Sequence, residues 1–356
     1  HHPVESLHQK IGIVDGTHAF VGGFDPVIEL GGHFDHWDTS AHLFSSPLRH
    51  NSEDPNPYPW HDVHAHIEGP AAGDVEYNFR QRWNDLVQHH SWDNALLLTE
   101  HPPAPPLESK SVVQIARTIP EHTYSFQPLI VRGVAQLYAH ALSNVQRFVY
   151  LENQYFWIHT YIGIDIPFLG KDNPEMERNI RELAAALQRG AMVGIVLPDH
   201  PDPGRGYADE ALKRLREEAP DAVKERRLVV FSLGTSTHKE DGEHYRSIYV
   251  HAKVAIVDDL WSTAGSANLN NRGLRDDTEM NVATLDAELA NSLRLLLWSE
   301  HLGLLNDDDL LLLLRHLTNQ RQRPPEDAQA RELWYHLQET LADPLAGLRM
   351  MDDRAE

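Results

Sequence analysis

His251-Ala252-Lys253-Val254-Ala255-Ile256-Val257-Asp258, running on to Gly265-Ser266-Ala267-Asn268, is the stretch around which this chain is organised. Its middle reads as a buried strand, because Val254 to Val257 is wholly apolar, includes three β-branched residues and is bounded by charged ones. Alternate side chains of a strand share a face, so His251 and Lys253 are expected side by side, an imidazole next to an ammonium. That pairing suits phosphate chemistry and does nothing for a folding core. A second copy lies upstream: His8-Gln9-Lys10-Ile11-Gly12-Ile13-Val14-Asp15, then Gly22-Gly23-Phe24-Asp25. Matching positions are all displaced by 243 residues (8 to 251, 10 to 253, 15 to 258, 22 to 265, 25 to 268). One such octet is most simply an exposed strand; two in the same register mark a duplicated unit.

Composition sets the outer limits. With 356 residues, 41% of them hydrophobic, the chain can bury a substantial core and suits two domains or one large duplicated unit. No apolar run approaches the ~18 residues of a membrane span, and Leu310 to Leu314, preceded by Asn306-Asp307-Asp308-Asp309, reads as a capped helix. No signal peptide is legible, so a soluble protein, peripheral at membranes and either cytoplasmic or secreted, is expected. Cysteine is absent, which removes disulfides and thiol catalysis. The formal charge is −22, from 31 basic and 53 acidic residues. Nucleic-acid binding draws on basic surface that displaces counterions, so no nucleic-acid partner is expected; a locally basic pocket stays possible.

Along the chain, strands are expected over 10–14 and 18–21, joined by Asp15-Gly16, then an aperiodic connection from Asp25 to Trp60 lying over the site. Residues 62–68 alternate like a strand, Gly69-Pro70 breaks it, and 74–90 reads as an amphipathic helix. Residues 101–110 form a proline-rich linker. Helices are expected over 129–146, 173–190 with Asn173 as N-cap, 207–219 and from Asp286 to 301, with strands at 111–116, 148–151, 191–197, 228–233, 248–257, 261–264 and 280–285. The fold class is α/β, with mixed sheets flanked by helices. Residues 1–125 are assigned to a first catalytic lobe, 126–305 to a second and 306–356 to a C-terminal helical tail. Residues 126–250 stand before the second octet but only 1–7 before the first, so the first lobe is expected to be partial, lacking its opening part.

The paired His-x-Lys-x4-Asp octets, each followed after six residues by Gly-Gly or Gly-Ser-x-Asn, resemble the phospholipase D superfamily. Pro59-Trp60-His61-Asp62-Val63, Glu68-Gly69-Pro70, Asn78-Phe79-Arg80-Gln81-Arg82-Trp83 and Tyr150-Leu151-Glu152-Asn153-Gln154-Tyr155-Phe156 are similar to its phospholipid-cleaving plant, fungal and bacterial branch. The resemblance implies a two-lobed, pseudo-twofold fold with one active site between the lobes. It also implies catalytic roles for His8, Lys10, Asp15, His251, Lys253 and Asp258. His8 would attack phosphorus to give a phosphohistidine, while His251 protonates the leaving head-group alcohol and then activates water or a second alcohol. A phosphodiester repels nucleophiles, so Lys10 and Lys253, with the Asn268 amide, are expected to bind its phosphate. Asp15 and Asp258, at the far strand ends, read as orienting or structural groups, and Asp25, a carboxylate, is not assigned to phosphate. Glu152, Gln154, Trp157, Ser266 and Glu279 are expected to line the site.

The expected partner is a phospholipid at a membrane surface, touched through Trp37, Phe44, Tyr58, Trp60, Phe156 and Trp157. No obligatory cofactor is expected, and Ca²⁺ finds no support in the sequence. His64 and His66 share a strand face, and His33, Asp35, His36 and Asp38 cluster; with 24 histidines such neighbours arise by chance, and no metal ligands are assigned. Alternatives are a cardiolipin synthase-like or nuclease-like phosphodiesterase of the same superfamily, or an inactive, truncated phospholipid-binding scaffold.

Overall fold

The computed structural model describes residues 6–23, 60–99, 101, 111–159, 173–199, 205–240, 242–319 and 325–355. Asp25, Trp37, Phe44, Tyr58 and the His33 to Asp38 cluster lie outside them, as does the side chain of Trp60.

Fourteen strands form three sheets among the described residues. The first sheet is antiparallel, in the order β1 (Lys10–Val14), β2 (His18–Gly22), β4 (His64–Glu68). A short sheet joins β3 (Trp60–His61), β10 (Leu233–Lys239) and β11 (Gly242–Val250). The large sheet runs β6-β5-β14-β13-β12-β7-β8-β9, from β5 (Val112–Ile119), β6 (Val131–Arg132), β7 (Phe148–Asn153), β8 (Met192–Val196), β9 (Leu228–Phe231), β12 (Lys253–Val257), β13 (Trp261–Gly265) and β14 (Glu279–Leu285). Only β7, β8 and β9 pair in parallel, so the sheet is mixed. The molecule is a mixed α/β protein.

Helices cover both faces of the large sheet. On one side lie α2 (Gly133–Ser143), α3 (Pro174–Gln188), α4 (Arg205–Glu218) and α5 (Pro220–Lys224), packed around Leu151, Ile195 and Ala255. On the other, α6 (Ala287–His301), α7 (Asp307–Asn319), α8 (Ala328–Thr340) and α9 (Pro344–Ala355) bury Trp298, Trp334 and Leu348 against Tyr150, Val254 and Ile256. The C-terminal helices are thus part of the core's cover. Asn173 and Asp286 cap α3 and α6, each side chain accepting a helix N–H. The inner face of the first sheet, Ala19, Val21 and Ile67, packs with α1 (Pro70–His89) on Met280 and Val282 of β14. No described helix is long and apolar enough to cross a membrane.

Several expectations shift in position. Gly69-Pro70 starts α1 instead of merely ending a strand: proline has no N–H to leave unpaired in a first turn. The expected strand 248–257 is two strands, β11 and β12, because the His251 and Ala252 N–H groups donate to the His61 carbonyl (2.8 and 3.0 Å) and leave the ladder. The sheet also crosses the division at residue 125, since β5 pairs with β14 from Val112 to Thr118.

The pseudo-symmetry is visible in the strands. Both β1–β2 and β12–β13 turn through two successive residues with positive φ, Asp15-Gly16 and Asp258-Asp259. A third strand follows each hairpin, with Gly22 opposite His64 and Gly265 opposite Asn281. Among the described residues, three strands make up the sheet of the first hairpin and eight the large sheet that holds the second.

Candidate active site

The first octet is anchored on β14. The His8 N–H donates to the Thr278 carbonyl (3.1 Å), and Leu7 bridges Thr278, so the chain entering β1 is tied to the start of β14. This places the His8 ring against the fully buried Glu279: Nδ1 lies 2.9 and 3.1 Å from its two carboxylate oxygens. Ser266 Oγ donates to the same carboxylate (2.5 Å), and Gln9 Nε2 to the Glu279 carbonyl (3.0 Å). Helix α1 braces Gln9, whose side-chain oxygen accepts from Asn78 and Arg82.

The second histidine is held in the mirror arrangement. His251 Nδ1 lies 2.7 Å from Asp62 Oδ2, and both groups are buried. Each imidazole therefore takes its carboxylate from the other half of the chain. Asp62 and Glu279 are themselves equivalent positions: they stand 217 residues apart, as do His64 and Asn281, which face the equivalent glycines. A carboxylate on Nδ1 fixes the tautomer and leaves Nε2 to act on a reacting group. Asp62 belongs to the motif Pro59 to Val63, and its 217-residue relation to Glu279 is the signal in the sequence that marks it.

Lysines complete the centre. Lys10 Nζ donates to the His8 carbonyl (3.0 Å) and Lys253 Nζ to the His251 carbonyl, so each ammonium is folded back beside its own histidine. Gln154 Oε1 accepts from Lys253 Nζ and Asn268 Nδ2, both at 3.2 Å, which gathers three of the expected residues at one point. The charges converge across the halves. Burial, then Lys253 and also Lys10 of the other octet, push the His251 pKa down to about 4 against the pull of Asp62. Burial would raise Asp62, but His251 and Lys253 hold it below the usual carboxylate range. Glu279 goes the other way: burial raises it, and His8 offsets only part.

Other expected residues sit elsewhere. Glu152 is one layer behind the centre. Its oxygens meet His61 Nε2 (2.7 Å), His301 Nε2 (2.9 Å) and the Tyr150 hydroxyl (2.6 Å), because strand alternation turns it toward α6 while Asn153 faces Lys253. Burial works against a charged His61, yet the adjoining Glu152 and Glu300 raise its pKa to about 9, so the pair is ionised. Trp157 is buried against Tyr155 and its N–H donates to Leu269, and Phe156 is fully enclosed, so neither offers a surface to a membrane. Asp258 closes its turn at the opposite end of β12, its carboxylate accepting the N–H groups of Gln146, Arg147 and Phe148, each at 2.8 Å. Asp15 holds the matching place, at the far end of β1 from His8.

Two family models and several curated relatives match the chain. The family described as "Phospholipase D" matches residues 19–165, and "Cardiolipin synthase, PLD-like domain" matches residues 153–298. The phospholipase D alpha 1 of Cynara cardunculus is 28% identical over 330 residues, covering 70% of this chain and 40% of the relative. Phospholipase D A of Dictyostelium discoideum is 29% identical over 364 residues, covering 84% and 27%. The chain spans about a quarter to a half of the curated relatives it matches. Among solved structures, the phosphatidylserine synthase of Haemophilus influenzae aligns over 96% of this chain and 71% of its own, with 15% identity and a TM-score of 0.45. The phospholipase D family member Nuc of Salmonella typhimurium aligns over 52% and 90%, with 17% identity and a TM-score of 0.33. With two family matches that together run from residue 19 to residue 298, this chain belongs to the phospholipase D superfamily.

Proposed function

We propose that the chain is a phosphodiesterase that hydrolyses phospholipid head groups to phosphatidic acid, with transfer to a second alcohol as a side reaction. The observation that carries this reading is the crossed pairing of His8 with Glu279 and His251 with Asp62. It presents two oriented imidazoles from two halves of the chain beside Lys10 and Lys253. Such a centre suits in-line displacement at phosphorus, one ring attacking and the other protonating the leaving oxygen. His8 Nε2 attacks, the P–O bond to the head group breaks, and His251 gives the departing alkoxide its proton. Water, deprotonated by His251, then cleaves the P–N bond and restores His8. The lysines and the Asn268 amide neutralise charge on the phosphoryl oxygens.

His251 rests neutral, so its acid role requires the bound phosphodiester anion to offset Lys10 and Lys253 and let it take a proton. The same observation favours a second reading in which the roles are exchanged, the neutral His251 attacking and His8 serving as acid.

Release of phosphatidic acid from phosphatidylcholine vesicles is the test. It is expected from the parent chain and lost in both His8→Ala and His251→Ala. Turnover of single-stranded DNA instead would make it a nuclease; condensation of phosphatidylglycerol to cardiolipin would make it a synthase. Vesicle binding with no turnover of any substrate would leave a scaffold.

A further inference from the structure

A second cluster of ligating side chains stands apart from the catalytic centre, on the outer face of the first sheet. Strand alternation puts Ala19, Val21 and Ile67 inward and His18, Phe20, His66 and Glu68 outward. Antiparallel register sets His18 opposite Glu68 and Phe20 opposite His66, so these side chains come from two neighbouring, hydrogen-bonded strands. They also converge. His18 Nδ1 lies 3.0 Å from His66 Nε2 and 3.7 Å from Glu68 Oε1, and His66 Nε2 lies 3.8 Å from that oxygen.

Those three edges define a triangle whose corners are all about 2.1 Å from one central point, which is the length of a Zn–N or Zn–O bond. We propose that His18, His66 and Glu68 form a binding site for a divalent transition ion of the zinc class. The donor set fits: two neutral imidazoles and one carboxylate, with room for water or a further ligand on the open side. Side-chain exposures of 43, 44 and 33% leave that side open to entry. Phe20 stacks on the His66 ring, 4.7 Å between centroids and 9° between planes, and so fixes the direction in which Nε2 points.

Binding would clip β2 to β4. Asp62 lies just before β4, so the clip would steady the strand that leads out of His251's partner. The site uses no residue of the catalytic centre. A second ligating trio, His61, Glu300 and His301, exists inside the molecule, but there His61 and His301 are bonded to Glu152.

The test uses the full chain, stripped with chelator and titrated with Zn²⁺ against a chromophoric competitor, and in parallel with Co²⁺ followed by visible absorption. One equivalent is expected with a dissociation constant below about 10 µM, with intense tetrahedral Co²⁺ bands and a melting temperature raised by a few degrees. His18→Gln and His66→Gln should each weaken binding at least about tenfold and abolish the bands, with far-ultraviolet circular dichroism unchanged. Glu68→Gln should weaken it less. Equal affinity in the parent and both histidine variants, loss in His301→Gln alone, or no saturable binding below about 100 µM would overturn the proposal.

Discussion

The hairpins β1–β2 and β12–β13 share an octet, a turn and a glycine before the site, yet one is enclosed and the other stands open. Lys253 is buried in an eight-stranded sheet with helices on both faces, and His251, two residues before it, is buried as well. His8 keeps 26% of its side chain accessible, against 6% for His251, and its sheet has three strands. Duplication thus gave two copies of one chemical device with different electrostatics. In the enclosed copy the carboxylate is held ionised and the histidine neutral; in the open copy burial raises the carboxylate instead. Two equivalent histidines in different fields are suited to unlike roles, which a displacement in two steps requires.

The largest expected effect lies in the crossed carboxylates. Asp62→Asn leaves a buried imidazole with its tautomer unfixed and should lower turnover on the order of 10³-fold at pH 7. Glu279→Gln should cost roughly tenfold to a hundredfold, because Ser266 still orients the side chain and His8 is partly solvated. Steady-state rates on phosphatidylcholine measure both; equal losses would mean the two copies are electrostatically alike.

Next is stability at the turns. Asp258→Ala removes the acceptor of three backbone N–H groups and should cost about 2 kcal/mol in chemical denaturation. Asp15→Ala makes the same change at the same positive φ, with no N–H of the described residues bonded to Asp15, and should cost about 0.5–1 kcal/mol. The difference isolates the capping role of Asp258.

A third contrast is in pH dependence. His61 has a folded pKa of about 9, above its unfolded value of 6.5. Its contribution is therefore fully present below pH 6.5 and lost as pH rises through 9, an upper bound on the order of 3 kcal/mol. His61→Gln should lower stability at pH 6 and flatten the decline between pH 6.5 and 9. His251, with its pKa lowered to about 4, acts in the opposite sense, since protonation of the unfolded chain removes stability as pH falls from 6.5 toward 4. His251→Gln should reduce that acid-side loss, a smaller effect because the vacated site still holds Asp62.

Much of this was legible in the sequence, and the limits have physical reasons. Paired octets, alternating apolar positions and, for the first hairpin, the Asp15-Gly16 turn marked both hairpins, since these features act locally. The caps at Asn173 and Asp286 are likewise local. Asp62 escaped assignment because the connection after Gly23 is 26 residues longer than the one after Ser266 (243 less 217), which hides its equivalence to Glu279. Glu152 was expected at the site because it precedes Asn153 and Gln154, but one position along a strand reverses the face. The break at His251 depends on a carbonyl from His61, 190 residues away, and no local pattern carries it.

The central claim is that imidazoles from both halves act on one phosphorus. Brief incubation with a ³²P-labelled short-chain phosphodiester, quenched in alkali and mapped by peptide, tests it most directly. The account predicts an alkali-stable, acid-labile phosphohistidine on His8 that persists in His251→Ala and disappears in His8→Ala. Label on His251 would exchange the two roles, and turnover with label on neither histidine would contradict the account.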